Sequence, residues 1–214
     1  VVVTSMLAVG ALGAAYLLAM EKWRVFWLMR AWVFLLRWGR DNPAPLQQRW
    51  DHFAQRVQAD LQKEQADEVL IIGHSAGAMA AIAVVDRWLA LAPGYPGGHD
   101  KVKLVTLGNA TPLIGLIPEA GWFRRQLSTV GESSIPWMEI TAPSDPLCYA
   151  LVNPFSACGL ATPTRSSFQL KSARFDKMFD PPEYALLRKD FFRIHFQYLM
   201  ATRHPVENDY FSLT

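Results

Sequence analysis

The feature that most constrains this chain of 214 residues is an apolar run that leads into a Gly-x-Ser-x-Gly motif. Residues 68–72 are mostly branched and apolar, which predicts a short buried strand. The motif spans Gly73–Gly77, and residues 78–90 after it have helix-forming composition with almost no polar surface. The sequence therefore predicts a strand, a sharp turn that carries Ser75, and a helix packed on a sheet.

Ser75 is predicted to be a nucleophile held at strained backbone angles above the edge of the sheet. Glycines two residues before and two residues after it are expected to keep Cβ atoms away from the neighbouring backbone. The following helix points free N–H groups and the positive end of its dipole at the turn, so the backbone N–H of Ala76 is expected to stabilise an oxyanion. The alternative interpretation is a glycine-rich turn whose serine only caps the helix.

A carboxylate follows the third predicted strand. Residues 102–108 and 137–141 form the second and third strands, and the buried helix between the first two predicts a parallel pair. Asp145 lies just after the third strand, at the carboxyl end where open α/β sheets place functional side chains. We predict that Asp145 is the carboxylate of a catalytic triad; the alternative is an ordinary turn residue before Pro146.

A histidine near the C-terminus is the predicted third member of the catalytic triad. Residues 166–175 predict a last, partly exposed strand, and Asp180 begins a helix with prolines in its first turn. His195 lies among aromatic residues further along this helix. A histidine in such a stretch is usually a buried core residue, but the chain order Ser, Asp, His favours a triad.

The remaining histidines and the two cysteines carry weaker signals. His74 is expected to point into the core, His52 is expected to be a surface residue, and His99 and His204 lie in predicted loops. Cys148 and Cys158 are expected to be free thiols in a reducing compartment, with a disulfide as the alternative. No metal-binding spacing such as His-Glu-x-x-His is present, so we expect neither a metal nor a cofactor.

The first 40 residues differ in composition from the rest. Residues 1–20 contain no charged residue and are long enough, as a helix, to cross about 30 Å of hydrocarbon. Residues 23–38 mix tryptophans with arginine, which fits an in-plane helix, a second span, or an amphipathic helix that covers the sheet. If only the first segment spans, the basic residues after it predict that residues 41–214 face the cytoplasm, whereas a second span reverses this orientation.

Charge is distributed unevenly along the chain. Residues 1–40 contain five basic residues and one acidic residue, a net formal charge of +4, while the remainder has 16 basic and 18 acidic residues. The basic excess therefore belongs to the hydrophobic segment, and we expect no nucleic-acid partner.

Two further segments complete the expected organisation. Residues 41–45 predict a break, after which residues 46–65 form an amphipathic helix that leads into the first strand. Residues 112–130 combine apolar side chains with glycine and proline beyond the carboxyl end of a strand. They fit either a lid or acyl-chain wall, or a helix that packs on the sheet.

The chain resembles α/β-hydrolases of the lipase and esterase type. The resemblance is carried by the motif Gly73–Gly77, the turn Thr141–Asp145 and the sequence His195–Tyr198, whose His-x-x-Tyr pattern is similar to that of class 3 lipases. The hydrophobic segments before the motif also resemble a group of uncharacterised bacterial membrane-associated α/β-hydrolases. The resemblance covers residues 46–214 and implies an α/β fold with a mostly parallel sheet and flanking helices.

One departure from this family concerns the oxyanion site. Such hydrolases carry an early strand and a glycine-containing loop that supplies a second N–H donor, and no such segment precedes Gly73. Because the chain begins at Val1 and not at a methionine, we expect an N-terminal portion with these strands to precede it. Without that donor the oxyanion site is incomplete, which typically costs about a hundredfold or more in rate.

These observations predict a hydrophobic membrane-associated segment, residues 1–40, and an α/β-hydrolase catalytic domain, residues 41–214. The expected function is hydrolysis of a carboxylic ester of a lipid or long-acyl compound, through an acyl-enzyme on Ser75. The resemblance implies a bacterial inner membrane, with the catalytic domain in the cytoplasm. An acyltransferase or thioesterase would use the same residues, and a membrane-anchored binding or scaffold protein would keep the fold without turnover.

Overall fold

The computed structural model describes residues 2–22, 24–63, 67–93, 101–164, 167–207 and 210–213. The predictions for Trp23, His99 and the loop at residues 94–98 lie outside them. The four strands are β1 (Val69–His74), β2 (Val102–Leu107), β3 (Trp137–Thr141) and β4 (Phe168–Ser172). The helices are α1 (Val2–Lys22), α2 (Val25–Asp41), α3 (Ala44–Gln62), α4 (Ala76–Leu91), α5 (Pro112–Gly115), α6 (Gly121–Glu132), α7 (Pro154–Ala157), α8 (Phe175–Met178), α9 (Pro181–Leu187), α10 (Phe191–Phe196), a 3-10 turn (Gln197–Leu199) and α11 (Tyr210–Leu213).

The strands form one parallel sheet in the order β1-β2-β3-β4. Thr106 of β2 is the register partner of both Gly73 and Glu139, so the three strands are closely aligned. The predicted α/β class and parallel pairing are confirmed, and β3 has the predicted bounds. In the described part of the chain, β1 pairs only with β2 and is therefore an edge strand.

The two faces of the sheet are covered by different parts of the chain. Helices α4, α6 and α7, which connect successive strands, pack on one face through side chains such as Met79, Phe123 and Phe155. Right-handed crossovers that advance in one direction along a sheet place their helices on the same side. The chain after β4 covers the opposite face through Phe175, Ile194 and neighbouring residues. Of the predicted site residues, Ser75 and Asp145 follow the carboxyl ends of β1 and β3, and His195 lies in the segment after β4.

The two N-terminal helices, α1 and α2, differ in how much of their surface is buried. One helix, α1, is long and apolar enough to cross a membrane, over the window Thr4–Glu21, and none of that window is buried. Helix α2 instead packs against α5, with Leu35, Trp38 and Gly39 buried. One face of α2 therefore belongs to the core, although its sequence lies within the predicted membrane segment.

Two predicted helical segments have a different form in the structure. The helix predicted from Asp180 through His195 is broken, because the side chain of Asp190 accepts hydrogen bonds from the N–H groups of Phe192 and Arg193 and starts α10. Asp180 is the N-cap of α9 without a side-chain capping bond; its carboxylate contacts Arg203 and His204. The lid interpretation of residues 112–130 is wrong for α6, which packs on α4.

Candidate active site

The turn between β1 and α4 has the strained backbone that its sequence predicts. Ser75 has φ 55° and ψ −123°, a region that costs a residue other than glycine about 1–3 kcal/mol. Its N–H donates a hydrogen bond to the carbonyl oxygen of Leu107 at 2.8 Å, which ties the turn to the end of β2. Ser75 occupies the N-cap position of α4, but its hydroxyl makes no capping hydrogen bond. The interpretation that Ser75 serves only as a cap is therefore wrong.

The two glycines of the motif are not equivalent. A Cβ atom on Gly73 would lie 2.7 Å from Cα of Ala78 and closer still to the carbonyl oxygen of Gly77, so this position requires glycine. A Cβ atom on Gly77 would meet no described atom within 4 Å. The expectation that both glycines are needed for close approach is correct for Gly73 and wrong for Gly77.

The first turn of α4 lies where the sequence predicts an oxyanion donor. Ala76 is the first residue of α4, where backbone N–H groups have no partner within the helix. These groups and the helix dipole favour negative charge near Ser75. Among the described residues, the elements ahead of β1 are the helices α1, α2 and α3 and no strand, so the strand and loop expected to carry a second donor do not lie there.

Asp145 and His195 form a buried ion pair or hydrogen bond, as the chain order predicts. Nδ1 of His195 lies 2.8 Å from Oδ2 of Asp145, and both side chains are almost completely buried. The other carboxylate oxygen of Asp145 accepts the N–H of Leu147 at 2.9 Å. This arrangement fixes the imidazole so that Nε2 is the nitrogen left to accept a proton.

Tyr198 adds a third contact to the carboxylate. Its hydroxyl donates to Oδ2 of Asp145 at 3.1 Å and accepts the N–H of Ala142 at 2.9 Å. Burial raises the pKa of Tyr198, so the phenol remains protonated and keeps donating. Its ring lies over Gly108, which has φ 54°; a Cβ atom there would lie 2.8 Å from the ring. The only sequence signal for this role is the His-x-x-Tyr spacing.

Ser75 and His195 line the same cavity, which has a volume of about 580 Å³. No hydrogen bond joins the Ser75 hydroxyl to His195 among the described residues, although catalytic hydrogen bonds are often formed only with substrate bound. Most of the remaining wall is apolar and comes from α2, from Ala110 and Leu113, and from residues 146–149. A volume of this size is typical of pockets that enclose a small organic molecule.

His74 lies in the cavity wall rather than in the core as expected. Its Nε2–H donates to the backbone carbonyl oxygen of His195 at 2.7 Å. Burial lowers the pKa of His74 to about 4, and the nearby His195 ring adds to this effect. His74 is therefore neutral at pH 7 and holds the backbone of α10 beside the turn.

The thiol of Cys148 also borders the cavity. Burial raises the pKa of Cys148 to about 12, and the carboxylate of Asp145 adds to the shift. The thiol therefore stays protonated and is a poor nucleophile beside Ser75. Both Cys148 and Cys158 are free, as predicted.

A second buried carboxyl group lies outside the cavity and was not singled out by the sequence. Glu139 of β3 accepts hydrogen bonds from Asn109 and, at 3.4 Å, from the Thr106 hydroxyl. Burial raises the pKa of Glu139 to about 7 despite these donors. Its neighbours belong to the interior on the α4 side of the sheet, so we interpret it as a structural group.

Compared with models of protein families, with curated proteins and with solved structures, the chain matches none. No group of three His, Cys, Asp or Glu side chains suited to a metal ion occurs in the described ranges. Two other histidines of the described part lie away from the cavity: His52 is exposed on α3, and His204 is exposed and contacts Asp180. The site that the structure defines is therefore a strained serine, a buried Asp–His pair and one apolar cavity.

Proposed function

We propose that this protein is a membrane-associated serine hydrolase of the α/β-hydrolase type, which cleaves a carboxylic ester. The observation that carries the proposal is the convergence of Ser75, at a strained turn, and the His195–Asp145 pair on one cavity. Strain at a turn costs stability, and it is typically kept where it positions a reactive group. An Asp–His pair with a free Nε2 is the arrangement that activates a serine hydroxyl.

The proposed reaction passes through a covalent intermediate. Oγ of Ser75 attacks the ester carbonyl carbon while Nε2 of His195 takes the hydroxyl proton. The negative charge on the carbonyl oxygen lies beside the N–H of Ala76, and Asp145 stabilises the protonated imidazole. The ester C–O bond breaks, and His195 returns the proton to the leaving alcohol. Water then attacks the acyl-enzyme with the same proton transfers, which releases the acid and restores Ser75.

The topology supports the assignment to the α/β-hydrolase type. Ser75 follows β1, Asp145 follows β3, and His195 lies beyond β4, in the order that such enzymes use. The sheet brings the carboxyl ends of parallel strands to one edge, and the cavity lies there. The four strands form a small sheet for a fold of this type.

The cavity wall supports an ester with a long or bulky apolar acyl group. Side chains from α2, together with Leu113, Pro146 and Leu147, present hydrocarbon to the space above Ser75. Apolar surface of this kind gains about 25 cal/mol per Å² when a hydrocarbon chain replaces water. A charged or strongly polar acyl group would lose its hydration there without replacement.

Labelling by a fluorophosphonate probe tests the proposal. We expect the full chain in bilayers to be labelled, and the Ser75→Ala variant to lose all labelling. Asp145→Asn and His195→Ala are each expected to slow labelling by about 10³-fold or more, because removal of any triad member has effects of this order. Ser156→Ala, which changes an exposed serine on α7, is the matched control and should label like the parent protein.

The competing function is that of a non-catalytic binding or scaffold protein. It is favoured by the absence, among the described residues, of a strand and glycine-containing loop ahead of β1 that would carry a second oxyanion donor. Folded protein that resists the probe in both detergent and bilayers would support this function and contradict the hydrolase.

A further inference from the structure

Helix α2 forms one wall of the cavity that holds Ser75. Five of its side chains line the cavity: Trp27, Leu28, Ala31, Trp32 and Leu35. The helix is held at both ends, since Trp27 packs edge-on against Phe192 of α10 with ring centroids 5.2 Å apart, and Trp38 is buried in the core.

The opposite face of α2 is also apolar, but it is exposed. Phe26, Met29, Val33 and Phe34 are each more than 40% exposed, and they line a shallow groove of about 500 Å³ together with Arg30 and Arg37. The spacing of these residues, three and four apart, places them on one side of the helix. A contiguous exposed apolar face with basic residues is typical of a helix that lies on a membrane.

The connection to α1 places this face next to the bilayer. The apolar window of α1 ends at Glu21 and α2 begins at Val25, so only a few residues separate them. Arg24, at φ 54°, turns the chain between the two helices. If α1 spans the membrane, α2 must begin at its surface.

The charges on α2 complement anionic lipid headgroups. Arg30, Arg37 and Arg40 are exposed and form no ion pair with any residue that the structure describes. Each basic residue close to an anionic membrane adds attraction. In a symmetric dimer formed through this face, by contrast, the same patch of both copies would meet and bring their arginines into one interface, which disfavours a second copy of the chain as the partner.

We propose that the outer face of α2 lies in the headgroup region of an anionic bilayer, so that α2 is a wall shared by the membrane and the cavity. Trp27 and Trp32 line the cavity and are also 43% and 52% exposed, so the apolar wall continues to the outer surface at these side chains. Given the proposed function, which this step rests on, the substrate is an acyl ester of a bilayer lipid that enters past Trp27 and Trp32.

Photocrosslinking tests where the outer face lies. The full chain, with p-benzoylphenylalanine in place of Met29, is reconstituted in vesicles of phosphatidylcholine and phosphatidylglycerol and irradiated. Met29 is 56% exposed on α2, and the control position Leu186 is 68% exposed on α9. We expect a lipid adduct at position 29 at least ten times as abundant as at position 186. A crosslinked dimer at position 29, or adduct no greater than at position 186, would overturn the proposal.

An activity measurement tests the route of the substrate. Val33→Asp places a charge on the outer face and leaves the cavity wall unchanged. We expect at least a tenfold loss of hydrolysis of an ester embedded in vesicles, and less than a twofold change with a water-soluble short-chain ester; Leu186→Asp should change neither. Equal loss on both esters would contradict the shared wall. If the parent protein cleaves neither ester, the proposed function fails, and the crosslink still decides the position of α2.

Discussion

At the scale of single residues, the hydroxyl of Tyr198 contacts the Cys148 thiol at 3.6 Å and makes two stronger hydrogen bonds whose loss is measurable. Tyr198→Phe keeps the ring over Gly108 but leaves Asp145 without one donor and the buried N–H of Ala142 without its acceptor. An unpaired buried group costs about 1–3 kcal/mol. We expect the rate of fluorophosphonate labelling to fall roughly tenfold, measured as the second-order rate constant in detergent.

A double variant separates positioning from general destabilisation. If Tyr198 acts by orienting Asp145, then Tyr198→Phe should have little further effect in an Asp145→Asn background. A full additional loss in that background would show that Tyr198 acts elsewhere. Thermal unfolding of each variant serves as the control for folding.

Glu139 predicts a component of the pH dependence of stability. Its pKa is raised to about 7 in the folded protein, from an ordinary value of 4.5, so the native state binds more protons between these values. Its favourable contribution is full below about pH 4.5 and is lost as the pH rises through about 7. We expect the free energy of unfolding of the parent protein to fall by about 1–3 kcal/mol between pH 5 and pH 8 because of this group, and the Glu139→Gln variant not to show this fall. Urea unfolding of both proteins measures the difference.

His74 contributes in the opposite direction and provides a check. Because its pKa is lowered to about 4, its contribution is present above about pH 6.5 and is lost as the pH falls towards 4. This contribution is common to the parent protein and to Glu139→Gln, so it cancels in the comparison. Identical pH slopes in the two proteins would contradict the assignment to Glu139.

The sequence predicted residues whose role follows from chain order, and it missed those whose role follows from distant contacts. Ser75, Asp145 and His195 could be selected because each follows a recognisable element, and the structure brings the last two into contact. His74 was placed in the core because nothing local shows that the carbonyl of residue 195 lies 2.7 Å from its ring. Tyr198 was visible only as a motif spacing, without a partner.

At the scale of elements, the turn from β1 into α4 depends on one glycine. Gly73→Ala places a Cβ atom against the backbone of the first turn of α4, and that backbone cannot yield as a side chain can. We expect the variant to lose several kcal/mol of stability and the labelling of Ser75. Thermal unfolding and fluorophosphonate labelling measure the two effects.

Gly77→Ala is the matched control at the other end of the motif. The added methyl group meets no described atom within 4 Å, and alanine favours helix over glycine by up to about 1 kcal/mol. We therefore expect unchanged or slightly increased stability and retained labelling. A loss equal to that of Gly73→Ala would mean that the open space beside Gly77 is filled in the working protein.

Elements with a buried apolar pattern were predicted well, and breaks set by single side chains were not. The first three strands could be assigned because parallel strands covered on both faces are mostly apolar. The division between α9 and α10 was missed because it depends on the cap formed by Asp190, although Asp followed by an apolar run is a recognised start signal. Helix α2 has two apolar faces. Its composition therefore fitted both a helix in contact with the membrane and a helix packed against the rest of the protein.

At the scale of the whole molecule, the two N-terminal helices are predicted to differ on deletion. Removing residues 1–22 takes away α1, which is exposed along its apolar window. Removing residues 1–40 also takes away Leu35 and Trp38 from the core, and loss of a buried tryptophan alone costs about 3–5 kcal/mol. We expect the shorter deletion to fold in detergent and the longer one to unfold at a much lower temperature, as measured by circular dichroism.

Membrane flotation of the same proteins gives the second readout. The full chain should float with vesicles, and the 1–22 deletion should float less, with the remainder held through α2. Equal recovery of the full chain and the deletion in the aqueous fraction would show that α1 does not bind membranes.

The position of β1 at the edge of the sheet has a consequence for self-association. An edge strand presents N–H and C=O groups that can template another strand. The open side of β1 borders an apolar groove of about 360 Å³ that extends to Gly77. A parallel strand added there would end near the turn between β1 and α4. The exposed edge of β1 is therefore expected to accept a strand from another chain and to bring that strand next to the turn that carries Ser75.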